Sequence, residues 1–255
     1  MPLVETSLDT RGVLTITLND PENNNALSQR LVEELVAAMD RVDLDDAVRV
    51  AVLTNTGTTF CAGADLSERS DATGAVGVID PLSLFRRIMD SPKPWVGRVA
   101  GHAVAGGTGL AAALDIAVAH ADAKFGFTEV RIGVAPAIIS VICLPKMRHS
   151  EAAAAFLRGQ RFTGDRAAEL GLIYQAVPPS ELDTAIEEVV ADLLLAGPNA
   201  LAAAKEILAR VPSMDPAEAF PWAAARSTEL FESPEAQAGM SAFLRREPAP
   251  WVIST

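Results

Sequence analysis

The sequence predicts an α/β fold whose strands gather early in the chain and whose helices gather late, and three observations carry that expectation. Val13-Leu14-Thr15-Ile16-Thr17-Leu18 alternates apolar and polar side chains with the period of a half-buried strand. Val48 to Leu53 is an almost unbroken apolar run, the pattern of a strand buried on both faces. From Ile138 onward the pattern is mainly helical, and Ala152 to Ala155 and Ala202 to Ala204 add high helix propensity.

Taken in order, Leu3 to Leu8 is placed to pair with Val13 to Leu18 as a hairpin, and Asn19 to Asn25 is turn chemistry. Ser28 is a candidate N-cap for a helix whose apolar face is Leu31, Leu35, Met39 and Val42. Asn55 to Ala64 reads as a loop, and Ser67 to Asp80, with Gly74 and Gly77 and no period, reads as a surface excursion. A short helix on Leu84, Phe85, Ile88 and Met89 stops before Pro92-Lys93-Pro94. Trp95 to Ala100 reads as a strand, and Gly107 to Leu114 as about two turns of helix. Ile116 to Ala119, Lys124 to Phe127 and Leu172 to Val177 are further strands. Ser150, Thr163 and Ser180 are candidate N-caps, the last with Asp183 completing a capping box. Gly171 and Gly197 are expected helix stops, and Pro198, Pro216 and Pro234 expected helix starts. A soft boundary near Gly197 separates an α/β core, residues 1–197, from a helical C-terminal part, residues 198–255.

Composition narrows the function. Hydrophobic residues make up 49% and charged residues 21% of 255, enough to fill a core and unlike a disordered chain. The net charge of −12 argues against broad binding to nucleic acid or anionic membrane, so a polyanionic ligand has to be met by a few local cations. Arg30, Arg69, Lys124, Arg245 and Arg246 are the candidates. Cys61 and Cys143 have neither disulfide-framework nor zinc spacing, and Met1 to Asp9 does not read as a signal peptide, so a cytoplasmic protein without a metal is expected. No apolar run reaches the length of a membrane span.

Two segments carry chemistry. Phe60-Cys61-Ala62-Gly63-Ala64-Asp65-Leu66 follows a buried strand, and Val99 to Leu110 reads as a strand, a turn of small residues and a helix start. Small residues let a ligand approach the backbone, and a helix N-terminus offers unpaired N–H groups. Two such groups converging on one carbonyl make an oxyanion hole. Spacing alone equally allows the glycines to serve only helix–strand packing. Gly107-Thr108-Gly109-Leu110-Ala111-Ala112 also fits a loose dinucleotide fingerprint, although the helix that follows is short for a βαβ crossover.

At these residues the chain resembles the crotonase (enoyl-CoA hydratase/isomerase) superfamily. Ala62-Gly63-Ala64-Asp65-Leu66 is similar to its first oxyanion-loop motif. Lys93-Pro94, Gly101-His102-Ala103, Gly106-Gly107 and Asp115-Ile116 are similar to the signature around the second. Phe125-Gly126, Thr128-Glu129, Gly133, Pro136 and the run from Thr163 to Leu172 continue in register. The resemblance implies a spiral of ββα units around two near-perpendicular sheets, with a helical C-terminal trimerisation part and a homotrimer or dimer of trimers. It implies an acyl-CoA thioester substrate and no separate cofactor, coenzyme A being part of the substrate. The backbone N–H groups of Ala64 and Gly106 would hold the thioester oxygen, with Ala62, Asp65 and Leu66 beside the adenine and pantetheine. Gly107, Gly109, Pro136 and Ile138 complete the substrate-binding set that it implies.

Hydratases of this family usually place two glutamates about the substrate double bond. Here the first position is Gly109 and the second is Glu129, so one carboxylate is missing. Glu129 is the expected acid/base, unless it is only a surface carboxylate paired with Arg131. Glu68, Asp71 and Asp80 are weaker candidates for the missing acid. Thr128 to Ser140 resembles bacterial members described as enoyl-CoA or methylglutaconyl-CoA hydratases, which also carry glycine at the first position. Ala137-Ile138-Ile139, where many members have a glycine pair, implies a tighter and more apolar acyl pocket. The expected activity is addition of water to a short or branched 2-enoyl-CoA. The alternatives are Δ3,Δ2-enoyl-CoA isomerisation, acyl-CoA binding with little catalysis and, more distantly, an NAD-dependent oxidoreduction. His102 is expected to be a spacer and Cys61 a buried, inert thiol.

Overall fold

A computed structural model of the chain describes residues 1–70 and 81–252. It opens with strands β1 (Val4–Leu8) and β2 (Val13–Leu18), helix α1 (Gln29–Leu44), and strands β3 (Val50–Asn55) and β4 (Thr59–Cys61). Helices α2 (Leu66–Ser70) and α3 (Pro81–Asp90) follow, then β5 (Trp95–Val99), β6 (His102–Val104) and helix α4 (Gly106–Ala113). Next come β7 (Ile116–His120), β8 (Lys124–Gly126), α5 (Ala137–Cys143), α6 (His149–Arg158), β9 (Phe162–Thr163), α7 (Gly164–Glu169) and β10 (Gln175–Val177). The chain ends in α8 (Leu182–Leu195), α9 (Pro198–Arg210), α10 (Pro216–Glu232) and α11 (Pro234–Arg245).

The strands divide between two sheets. The first has the order β1-β2-β3-β5-β7-β10, with an antiparallel β1–β2 hairpin and parallel pairing beyond it. The second has the order β4-β6-β8-β9, parallel except where β9 runs against β8. Each pass of the chain (β3 and β4, β5 and β6, β7 and β8) lays one strand in each sheet before turning into helix, which is the spiral of ββα units. Because β4, β6 and β8 are adjacent and parallel, the segments leaving their C-terminal ends emerge side by side. In parallel sheets that is where ligands are met.

The first sheet is covered on both faces, which accounts for the continuous apolar run of β3. One face meets α1, α3 and α4 in a core holding Leu14, Leu53, Trp95 and Phe60. The other presents Val50, Val52, Val96 and Val118 to Leu182, Ile186 and Val190 of α8. Ser28 caps α1 by accepting from Leu31 N, and Thr163 caps α7 by accepting from Arg166 N, both as the sequence predicts.

Several local expectations are corrected. The loop between Asn55 and Ala64 contains β4, too short to show a period. Ser150 lies inside α6, whose N-cap is Arg148, because an extended Met147-Arg148 step after Pro145 starts the helix earlier. Ser180 does not cap α8, because Pro178-Pro179 set a 3-10 turn that runs straight into the helix, and Asp183 pairs with Arg98 instead. Gly197 is the N-cap of α9 and not the stop of α8, which ends at Leu195. Met89 is 43% exposed and lies outside the core. The excursion begins with α2, and its remainder, Asp71 and Asp80 included, lies outside the described residues. Among the described residues, no helix is long and apolar enough to cross a membrane.

The C-terminal helices are tied down by polar anchors. Lys205 on α9 donates to the carbonyls of Ile88 and Lys93 and, at 2.5 Å, to Asp115 Oδ2, which also accepts from Trp95 N. Burial pushes the Asp115 carboxyl up and the Lys205 ammonium down, each opposed by the attraction of the other. Arg49 donates to the carbonyls of Ala196 and Trp251, and the Trp251 indole to that of Leu195. Lys205→Met strands Asp115 without its cation and is expected to lower stability by about 3 kcal/mol in urea titration. Adding Asp115→Asn restores most of the loss, and an unchanged midpoint in the single variant would show that the pair contributes nothing.

Candidate active site

Three chain segments converge at the ends of β4, β6 and β8. After β4, Gly63 adopts φ +86, a conformation open to glycine, and its carbonyl accepts from Leu27 N at 2.7 Å. The N–H of a trans peptide points opposite its carbonyl, so Ala64 N–H is aimed away from Leu27. After β6, Ala105 sits at φ 51, ψ −124, a strained conformation for a residue with a side chain. Its carbonyl accepts from Thr108 N and Gly109 N inside α4, so Gly106 N–H, on the same peptide, points out of the helix. Neither Ala64 N nor Gly106 N donates to another described residue.

The two loops touch backbone to backbone. A Cβ placed on Gly63 would lie 2.8 Å from Gly106 N, and one on Gly106 would lie 3.1 Å from Gly63 Cα and 3.7 Å from Ala64 N. The small residues at these positions are a steric requirement. Thr108 locks the arrangement from beneath. It is fully buried, its hydroxyl is within hydrogen-bonding distance of the Ala103 and Gly126 carbonyls, and it accepts from Gly126 N. Asn25, buried and at φ 50, donates to Thr56 O and Thr59 O and steadies the segment that brings Leu27 to Gly63.

Both loops open onto a cavity of about 860 Å³, lined among others by Ala62, Ala64, Leu66, Gly106, Pro136 and Ile138. This is toward the upper end of ligand-pocket sizes. Glu129 also lines it, at the start of the 3-10 turn Glu129–Ile132 that follows β8. It is half-buried, and its Oε2 is shielded from solvent with no hydrogen-bond partner. Burial raises its carboxyl above the ordinary glutamate range, against a smaller lowering by its own backbone N–H. The pairing with Arg131 does not form, because Arg131 donates to the Gly159 and Arg158 carbonyls.

Three of the predicted residues are placed behind the wall or beside it. Asp65 is absent from the lining and accepts from Ser67 and Asn23, which hold its carboxyl low and the loop in shape. Gly107 packs under Cys61, where a Cβ would fall 1.9 Å from the Cys61 carbonyl oxygen. Gly109 is buried beneath Ile139. The Cys61 thiol is fully buried, pushed up to about 12 and unreactive as a nucleophile. His102 does more than space the turn, since its Nδ1 accepts from Lys124 N and joins β6 to β8.

Glu68 accepts from Gln29 N and steadies the loop. Of the cations considered for phosphate, Arg30 pairs with Glu34 and Arg245 with Glu247, while the Arg69 side chain lies outside the described residues. Sequence reasoning missed Thr108, Asn25 and the strained Ala105, and it missed Leu27, Phe85 and Gln160 in the lining. Only the polar character of Thr108 within an otherwise small and apolar helix was a signal; alanine gives none for a positive φ.

The description enoyl-CoA hydratase/isomerase belongs to the family that matches residues 9–253. A Thermus thermophilus relative is 35% identical, the match covering 92% of this chain and 96% of that one. Enoyl-CoA hydratase EchA19 of Mycobacterium tuberculosis is 32% identical over 94% of this chain and 93% of its own. The 1,2-epoxyphenylacetyl-CoA isomerase of Escherichia coli is 34% identical over 69% and 70%. Among solved structures, an enoyl-CoA hydratase from Mycobacterium smegmatis superposes with a TM-score of 0.90 at 31% identity, covering 98% of this chain and 99% of that one. AtuE of Pseudomonas aeruginosa gives 0.90 at 31%, covering 98% and 100%. By sequence along nearly its whole length, and by the spiral that frames these two loops, the chain belongs to the enoyl-CoA hydratase/isomerase family, the crotonase superfamily of acyl-CoA enzymes.

Proposed function

We propose that the protein is an acyl-CoA lyase that adds water to a short or branched 2-enoyl-CoA, with Glu129 as its single acid/base. The observation that carries this reading is the unpartnered Glu129 Oε2 at the cavity onto which Ala64 and Gly106 open. The thioester oxygen accepts from Ala64 N–H and Gly106 N–H, and Ala62 and Leu66 lie along the coenzyme. Glu129 takes a proton from water as the oxygen of that water bonds to C3. The C2–C3 π pair moves into an enolate whose charge rests on the held oxygen. The carboxyl then returns the proton to C2, so one water is added and Glu129 is regenerated.

A second reading is favoured by one observation: Ile139 occupies the space over Gly109, leaving one carboxylate in an apolar wall. A single carboxylate is sufficient for isomerisation. Glu129 removes the C2 proton of a 3-enoyl thioester, the electrons pass through the enolate, and the proton returns at C4 as the C2–C3 double bond forms. The family's hydratases and its isomerases share the oxyanion hole, and the product separates the readings. Exposed Phe220, Phe231, Phe243 and Leu244 on α10 and α11 support the expectation that the C-terminal part makes subunit contacts in a trimer or dimer of trimers.

Incubation with 2-enoyl-, 3-enoyl- and 3-methylglutaconyl-CoA, followed by conjugated-thioester absorbance, tests the assignment. Loss of conjugation with water added identifies a hydratase, and gain of conjugation identifies an isomerase. Binding without turnover would reject both in favour of an acyl-CoA-binding role. Glu129→Gln is expected to keep thioester affinity and lose about 10²- to 10⁴-fold in kcat; retained turnover would remove Glu129 from the mechanism.

The same variant has a stability signature. A carboxyl raised by burial destabilises the native state when ionised, so its contribution is best below its unfolded value, about 4.3, and declines as pH rises through the folded value. Glu129→Gln is therefore expected to melt above the wild type at pH 7, with the difference vanishing in acid. Gly106→Pro deletes one oxyanion donor and is expected to lower kcat by about 10²- to 10³-fold, with circular dichroism reporting whether the fold survives.

A further inference from the structure

We propose that Ile139 limits the acyl length this site accepts, and that Gly109 is the residue that makes room for it. The proposal rests on the acyl-thioester reading above. A Cβ at Gly109 would fall 2.2 Å from Ile139 Cγ2 and 2.8 Å from Ile139 Cβ. The isoleucine is therefore seated on the bare Cα of the glycine, and only glycine at that point of α4 permits it. Ile139 faces the cavity while Gly109 is hidden behind it.

Gly109 lies three residues along α4 from Gly106, one helical turn or about 5 Å from the N–H assigned to the thioester oxygen. An acyl chain running along α4 meets the Ile139 side chain within a few carbons of its carbonyl. The obstruction is stiff. Ile139 is 3% exposed, and a β-branched side chain within a helix such as α5 has one strongly preferred χ1 rotamer. Pro136 and Ile138 on the same wall are also apolar, so the end of the slot selects by shape. The residue that fills the place of a second carboxylate thus also closes the acyl slot.

The test is calorimetric titration with the saturated thioesters butyryl-, hexanoyl-, octanoyl- and decanoyl-CoA, which bind without a double bond to react. Wild type is expected to bind butyryl-CoA tightest and to lose at least about tenfold by octanoyl-CoA. Ile139→Ala removes three carbons and is expected to strengthen octanoyl-CoA binding at least about tenfold relative to butyryl-CoA. Ile139→Val gives the same shift in smaller measure if the alanine variant does not fold. Gly109→Ala, which pushes the isoleucine into the cavity, weakens every thioester, and adding Ile139→Ala to it restores binding. Superimposable chain-length profiles for wild type and the Ile139 variants would overturn the proposal. Binding of no thioester by folded wild-type protein would instead overturn the acyl-thioester reading, and the proposal with it.

Discussion

The contact on which the rest of the structure depends is the approach of one backbone to another beneath the cavity, where Gly107 lies against the Cys61 carbonyl and Gly63 against Gly106. No side chain larger than hydrogen fits at Gly107, since a Cβ there would be 1.9 Å from an oxygen. That closeness brings the loop after β4 and the start of α4 into one site. It is held by hydrogen bonds that leave the two relevant donors free, because the Gly63 and Ala105 carbonyls are already engaged by Leu27, Thr108 and Gly109. The strain at Ala105, of the order of 1–3 kcal/mol for such a conformation, is offset by its own N–H bond to Gly126 and by the surrounding buried network.

An oxyanion hole built of peptide groups fixes where charge develops in the substrate but moves no proton. On the proposed mechanism Glu129 supplies that capacity: a 3-10 turn delivers it from the end of β8 to the cavity, where burial disfavours its ionisation. Ile139 fills the space over Gly109, so that on the proposed reading acyl shape and proton-transfer capacity are set by one steric choice.

Outside the site, this chain of net charge −12 uses two half-buried cations as architecture. Lys205 gathers two carbonyls and Asp115, and Arg49 gathers carbonyls from the end of α8 and from the C-terminal tail. These anchors fix the position of α9, while α10 and α11 keep large apolar side chains exposed.

By itself the sequence determined the strands of the first sheet and most helices, though not the short strands β4, β6 and β9 of the second sheet, together with the hairpin, the caps at Ser28 and Thr163, the proline starts of the last three helices, and the family through motifs in register. Those features are local or linear: a period, a cap or a spacing is written in neighbouring residues. It also marked Glu129 and the empty position at Gly109, because each is a matter of residue identity at a motif position. The tertiary structure decided which peptide N–H groups face the cavity, since that follows from hydrogen bonds made by Gly63 and Ala105 to residues distant in sequence or across a turn. It decided that Asp65 holds a loop, that Gly107 serves contact between backbones, and that Ile139 fills the space above Gly109. Packing across segments some thirty residues apart has no period to read, and the space a missing side chain leaves is defined only by the neighbour that enters it.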